Sequence, residues 1–99
     1  MVSASKKITI VGGSGALGAG LAKRWARKGH QIIIGSRDEK RASEAASRLN
    51  NEAGTTSIVG MENKVASENG EIVVLTVPFS NHMSTLSLIA PALDNKILI

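Results

Sequence analysis

Cysteine and tyrosine are absent from this chain, phenylalanine and tryptophan occur once each, and proline occurs twice. Without cysteine there is no disulfide framework and no thiol chemistry. With so few aromatic rings the chain lacks the stacking platform that a single-strand nucleic-acid binder needs. No grouping of His, Asp and Glu has the spacing of metal ligands. No apolar run approaches the ~18 residues of a membrane span. The apolar run behind Lys6 and Lys7 is too short for the hydrophobic region of a secretory signal. The serines sit in no nucleophile elbow, which removes support for hydrolase chemistry. Together these absences lead to the expectation of a soluble cytoplasmic protein that binds neither membrane nor nucleic acid.

What remains is globular in character. The chain has 99 residues, 42% hydrophobic and 20% charged, enough for one domain with a modest core. The net charge of +4 is not gathered into one stretch. Lys23, Arg24, Arg27 and Lys28 fall in the last turns of an expected helix, where cations suit the helix dipole. Arg37, Lys40 and Arg41 form a second group.

Strand and helix patterns alternate throughout. Strands are expected at 7–11, 31–35, 56–59, 71–77 and 96–99. Helices are expected at 16–28, 38–51 and, weakly patterned, 61–68, with a last one from about residue 80 that Pro91 breaks or kinks. Leu17, Leu21 and Trp25 recur at helical spacing and are expected to face the sheet. Gly29 is placed to end the first helix. Ala42, Ala45, Ala46 and Leu49 mark the inner face of the second, and Ser36 with Glu39 has the spacing of a capping box at its start. Such alternation predicts an α/β fold: a Rossmann-like doubly wound parallel sheet of about five strands in order 3-2-1-4-5, with helices on both faces. Ligands bind such sheets at the carboxyl ends of the strands, where the order reverses. That crevice would gather the turn at 12–18 and residues 35–37 and 77–79.

The first turn carries the chemistry. Gly13-Ser14-Gly15-Ala16-Leu17-Gly18 matches G-x-G-x-x-G between an apolar strand and a helix, the pattern that binds a dinucleotide pyrophosphate. Gly13 would allow the tight turn, Gly15 the approach of backbone to phosphate, and Gly18 close packing of helix on sheet. The helix start then offers free N–H groups and a positive dipole end. No Gly-Lys-Ser/Thr follows, so this is not a Walker loop.

The end of the second strand points to NADP. An NAD site places an acid there for the ribose hydroxyl. This chain has Ser36, which can donate to a phosphate oxygen, and Arg37, which can clamp it, with Lys40 or Arg41 in reach from the next helix. Two other readings stay open: Ser36 acting only as a cap with Arg37 solvated, or Asp38 serving as a ribose ligand from two residues further on. Thr76-Val77-Pro78-Phe79 ends the fourth strand and could border the nicotinamide end, or be an ordinary strand end. Ser14 contacts cofactor or substrate, or simply fills the turn. His82 is a candidate acid/base or a surface residue at a helix start. His30, Trp25 and the methionines read as structural.

At these residues the chain resembles the NADPH-dependent reductases of the deazaflavin coenzyme F420, the F420H2:NADP oxidoreductases. The run Gly12 to Ala22 is similar to that family's phosphate turn, Gly29 to Arg37 to its second strand and 2′-phosphate site, and Leu75-Thr76-Val77-Pro78-Phe79 to its fourth-strand signature. The resemblance implies hydride transfer between NADP and coenzyme F420, with the protein orienting the rings rather than moving protons. It implies Ser14 near the nicotinamide, Ser36 and Arg37 on the 2′-phosphate, and Val77 and Pro78 at the nicotinamide end. Family members run to about twice this length, so the chain corresponds to their N-terminal NADP-binding domain. The partners expected are small-molecule cofactors. The apolar edge at 96–99 leads us to expect self-association to a homo-oligomer, or cover from the family's C-terminal half. Readings with another acceptor (flavin, iron or a pyrroline-type substrate), or as a non-catalytic NADP-binding module, remain beside this one.

Overall fold

The computed structural model describes residues 6–12, 15–76 and 97–98, with Ala16, Ile97 and Leu98 described by backbone alone. Five strands, β1 (Lys7–Val11), β2 (Gln31–Ser36), β3 (Ile58–Glu62), β4 (Ile72–Leu75) and β5 (Ile97–Leu98), form one sheet in the order β3-β2-β1-β4-β5. Every described pairing is parallel. The order predicted from the alternation of patterns is therefore the order found, and the reversal falls at β1, between β2 and β4.

Side-chain alternation divides the core into two layers. Ile8 and Ile10 of β1 join Ile32, Ile34, Ile58 and Val74 on one face, beneath α1 (Ala16–Arg27) and α2 (Glu39–Ala53). Thr9 and Val11 point to the other face, where Val11 packs with Val73 and Leu75. There α3 (Asn63–Asn69) is pinned by the Thr9 hydroxyl, which donates to the Ala66 carbonyl.

The first helix sits differently from the expectation. Leu17 is 66% exposed, and the buried line is Gly18, Ala22 and Ala26, with Leu21 and Trp25 half-buried beside it. Small residues at i, i+4 and i+8 bring the helix axis close to the sheet and rotate the larger side chains to its flank. Gly29, at φ +95°, ends α1: its N–H donates to Ala26 and that of His30 to Trp25, the paired bonds of a Schellman ending.

In α2, Ala42, Ala45, Ala46 and Leu49 are buried as their spacing requires. The capping box is not formed. Asp38 caps the helix by accepting from the Lys40 N–H at 2.9 Å, and Ser36 is instead the last residue of β2. The helix also runs past Asn50. That side chain accepts from the Ile58 N–H and donates to its carbonyl, at 3.0 and 2.8 Å, and so fixes where β3 begins. This places β3 two residues later than its sequence pattern suggests. The helix expected from residue 80, with Val77, Pro78, Phe79 and His82, lies outside the described residues.

Candidate cofactor-binding crevice

The turn leaving β1 is built on Gly12. Its φ of +79° lies in the left-handed region, where a side chain is strained. Its N–H donates to the Gly35 carbonyl at 2.9 Å, and its own carbonyl accepts from the Gly15 N–H at 3.1 Å. Gly15 then starts α1, with its carbonyl accepting from Ala19. Gly12, one position ahead of the Gly13 to which the motif assigns the tight turn, is thus left-handed; Gly13 and Ser14 themselves lie outside the described residues.

Gly15 has no side chain with which to cap α1, and the first turn carries no acid. Among the described residues no side chain caps the N–H groups at the helix start or offsets its positive dipole end. Among the described residues, a Cβ built on Gly15 meets only the Gly12 carbonyl oxygen, at an ordinary 3.6 Å, so nothing described there requires a glycine. Leu17 stands exposed in the same first turn, and Gly18 is buried behind it.

At the end of β2, Ser36 is only 6% exposed and is paired in register with Glu62 of β3. Arg37, Lys40 and Arg41 follow on the surface. Of the carboxylates beside these cations, Asp38 and Glu62 are engaged with backbone, and Glu39, in the first turn of α2, is exposed. Asp38 caps α2, while Glu62 caps α3 by accepting from Lys64 and Val65. The ion pairs among the described residues are Lys23–Glu52 and Arg48–Glu52, so Arg37, Lys40 and Arg41 have no acidic partner there. Three exposed cations therefore stand at the N-terminal end of a 15-residue helix.

The third wall begins at Thr76. Its N–H and its hydroxyl both donate to the Val11 carbonyl, at 2.9 and 2.8 Å, tying the end of β4 to the end of β1 beside Gly12. Val77 and Pro78 would follow directly, outside the described residues. His30 lies at the opposite end of the sheet and accepts the Lys6 N–H at Nδ1, a structural role. A cavity of about 380 Å³ runs along β2 and β3 from Lys7 and Gln31 at the amino ends to Met61, the register partner of Gly35. Among the described residues no His, Asp and Glu are grouped to hold a metal, and no helix is long and apolar enough to cross a membrane.

One residue escaped the sequence reading. Asn63, the first residue of α3, is buried at the carboxyl end of the sheet beside Gly35. Nothing in its spacing marks it, because its place depends on how closely α3 approaches β2.

Comparison with known proteins fits this geometry. Residues 7–99 match the family model described as NADP oxidoreductase, coenzyme F420-dependent. The chain is 44% identical over 95 residues to an F420-dependent NADP reductase of Methanothermobacter thermautotrophicus, covering 94% of this chain and 41% of that protein. It is 40% identical over 97 residues to the enzyme of the same name from Methanocaldococcus jannaschii, covering 94% and 43%. The chain thus spans about two fifths of the length of these curated relatives. Among solved structures, a putative F420-dependent NADP reductase from Arthrobacter sp. FB24 superposes with a TM-score of 0.76 at 25% identity, over 96% of this chain and 43% of that one. A lactate dehydrogenase from Eimeria maxima superposes at 0.77 with 14% identity, over 97% and 35%, a likeness of fold alone.

Proposed function

This chain belongs to the family of coenzyme F420-dependent NADP oxidoreductases, and we propose that it binds NADP in the crevice and serves hydride transfer between NADP(H) and coenzyme F420. The observation that carries the reading is the pairing of a helix start at Gly15 that no side chain caps with three exposed cations beyond β2 that form no ion pair among the described residues.

The residues present fit that cofactor. The open space over Gly15 and the first-turn N–H groups of Ala16, Leu17 and Gly18 suit a pyrophosphate, with Gly13 and Ser14 completing the turn. Ser36, Arg37 and Lys40, with Arg41 beside them, suit the 2′-phosphate of NADP rather than the bare ribose of NAD. Asp38 is held by its own helix, which argues against its service as a ribose ligand. Val77 and Pro78 border the nicotinamide end in this reading, and Ser14 lies near the ring. When bound, NADP supplies the hydride chemistry. The chain's own residues anchor the phosphates, turn the ring toward the switch point between β1 and β4, and limit its freedom there. No residue is assigned as a proton donor.

The F420 side is assigned to no described residue. Since the relatives are more than twice as long as the matched stretch, we propose that a further segment or a second copy completes it, and that the protein works in the cytoplasm with small-molecule partners. Titration with NADPH and with NADH, followed by heat and nicotinamide fluorescence, tests the reading. Tighter binding of NADPH is expected. Tighter binding of NADH would overturn the Ser36–Arg37 assignment. Adding reduced F420 and NADP then separates this acceptor from a flavin, iron or pyrroline-type one, since only the first gives NADPH without another substrate.

A further inference from the structure

Asn63 is 4% exposed, and its Oδ1 is fully buried with no hydrogen-bond partner among the described residues. Buried polar side chains nearly always find a partner, so an orphaned amide needs a reason. The chain makes room for this one. A Cβ built at Gly35 would stand 2.8 Å from Asn63 Oδ1, closer than real Cβ atoms come. Glycine at position 35 therefore admits a polar group that the fold does not satisfy.

The location suggests what does satisfy it. Asn63 follows Glu62, the register partner of Ser36, so it stands beside the residue assigned to the 2′-phosphate. The carbonyl of Gly35 holds the N–H of Gly12, so the same cluster includes the root of the phosphate turn. Between a pyrophosphate over Gly15 and a 2′-phosphate at Ser36 lies the adenosine ribose. Resting on the cofactor reading above, we infer that Asn63 is a cofactor-binding residue whose amide takes the 3′-hydroxyl of that ribose. A hydroxyl suits either end of an amide, donating to its oxygen or accepting from its nitrogen. The 3′-hydroxyl is common to NADP and NAD. Asn63 therefore contributes to affinity for both and to the choice between them not at all, whereas Arg37 contributes to the choice.

The test uses the full chain, Asn63→Ala and Asn63→Leu. NADPH and NADH are titrated into each, and thermal midpoints are recorded. Both cofactors should bind roughly tenfold more weakly to the variants, the scale of one lost hydrogen bond. The midpoint of Asn63→Leu should hold or rise, because an apolar side chain of similar shape removes an unsatisfied group. The unsubstituted chain should prefer adenosine 2′,5′-bisphosphate to its 3′-deoxy analogue by a similar factor, and Asn63→Ala should lose that preference. Unchanged affinity in the variants, loss for NADPH alone, or equal binding of the two bisphosphates by the unsubstituted chain would each overturn the assignment. The bisphosphate comparison decides even if Asn63→Leu fails to fold. Failure of the unsubstituted chain to bind NADPH at all is a different result: it would overturn the cofactor reading, and this assignment with it.

Discussion

Gly12 donates its backbone N–H to the carbonyl of Gly35 at 2.9 Å, so the turn leaving β1 is fastened to the end of β2. Both glycines are there for steric reasons, and the reasons differ. Gly12 has a left-handed backbone, and Gly35 has α3 packed against its Cα. One bond therefore fixes the distance between the two places where a dinucleotide's phosphates would sit. The first residue of the turn is thereby held to the sheet, a preorganisation that a charged ligand would reward.

Gly12→Ala should lower stability by about 1–2 kcal/mol, because an L side chain is strained at φ +79°. It should also weaken NADPH binding, since relief of the strain moves the turn. Gly29→Ala is the control. It carries the same kind of strain at φ +95° but lies at the far end of α1. Denaturant melts should show comparable losses for the two variants, while calorimetry shows weakened NADPH binding for Gly12→Ala alone. An equal effect of both on binding would detach Gly12 from the site.

Arg37→Ala should weaken NADPH binding by roughly 1–3 kcal/mol, the range of a lost hydrogen bond to a charged group, and leave NADH nearly unchanged. Arg37 is exposed and has no acidic partner among the described residues. The fold therefore loses nothing with it, and the thermal midpoint should stay in place. The gap between the two cofactors should narrow as ionic strength rises, because the contact is accessible to salt. Equal losses for NADPH and NADH would sink the 2′-phosphate role.

Asp38 separates capping from ribose binding. Asp38→Asn keeps a good cap and removes a negative charge beside Arg37, Lys40 and Arg41, so stability should hold and NADPH binding should hold or tighten. Asp38→Ala should cost about 1 kcal/mol of stability through the lost cap. If Asp38→Asn instead abolished NADH binding while sparing the fold, the carboxylate would be a ribose ligand after all.

Much of this was legible in the chain. Strand order followed from the alternation of Ile8-Thr9-Ile10-Val11 and Gln31-Ile32-Ile33-Ile34 with helical stretches, because apolar runs of that length and parallel crossovers leave few arrangements. The glycine-rich turn proposed to hold the phosphates and the cations at 37, 40 and 41 are local patterns, readable without neighbours. What failed depended on neighbours. Leu17 matched the helical period of Leu21 and Trp25, yet Gly18, Ala22 and Ala26 face the sheet, since close approach favours small residues over large ones. Ser36 and Glu39 matched a capping box, yet β2 continues through Ser36 to pair with Glu62, and Asp38 takes the cap. Asn50 sets the start of β3, and Asn63 lies under Gly35, through contacts that only the packed chain contains.

Gly15→Ala offers the sharpest division between fold and ligand. Among the described residues, a Cβ there meets only the Gly12 carbonyl oxygen at 3.6 Å, and the backbone φ of −80° suits any residue. Its stability should therefore change little. Gly20→Ala serves beside it: Gly20 is exposed in α1, a Cβ meets nothing within 4 Å, and alanine should stabilise the helix by about 0.4–1 kcal/mol. If Gly15 is glycine so that backbone can approach a pyrophosphate, Gly15→Ala should lose NADPH and NADH binding together, by tenfold or more, while Gly20→Ala binds both as before. Melting curves and calorimetric titrations of the two variants decide the matter. Unchanged binding by a folded Gly15→Ala would mean that the space over Gly15 is not where the phosphates lie.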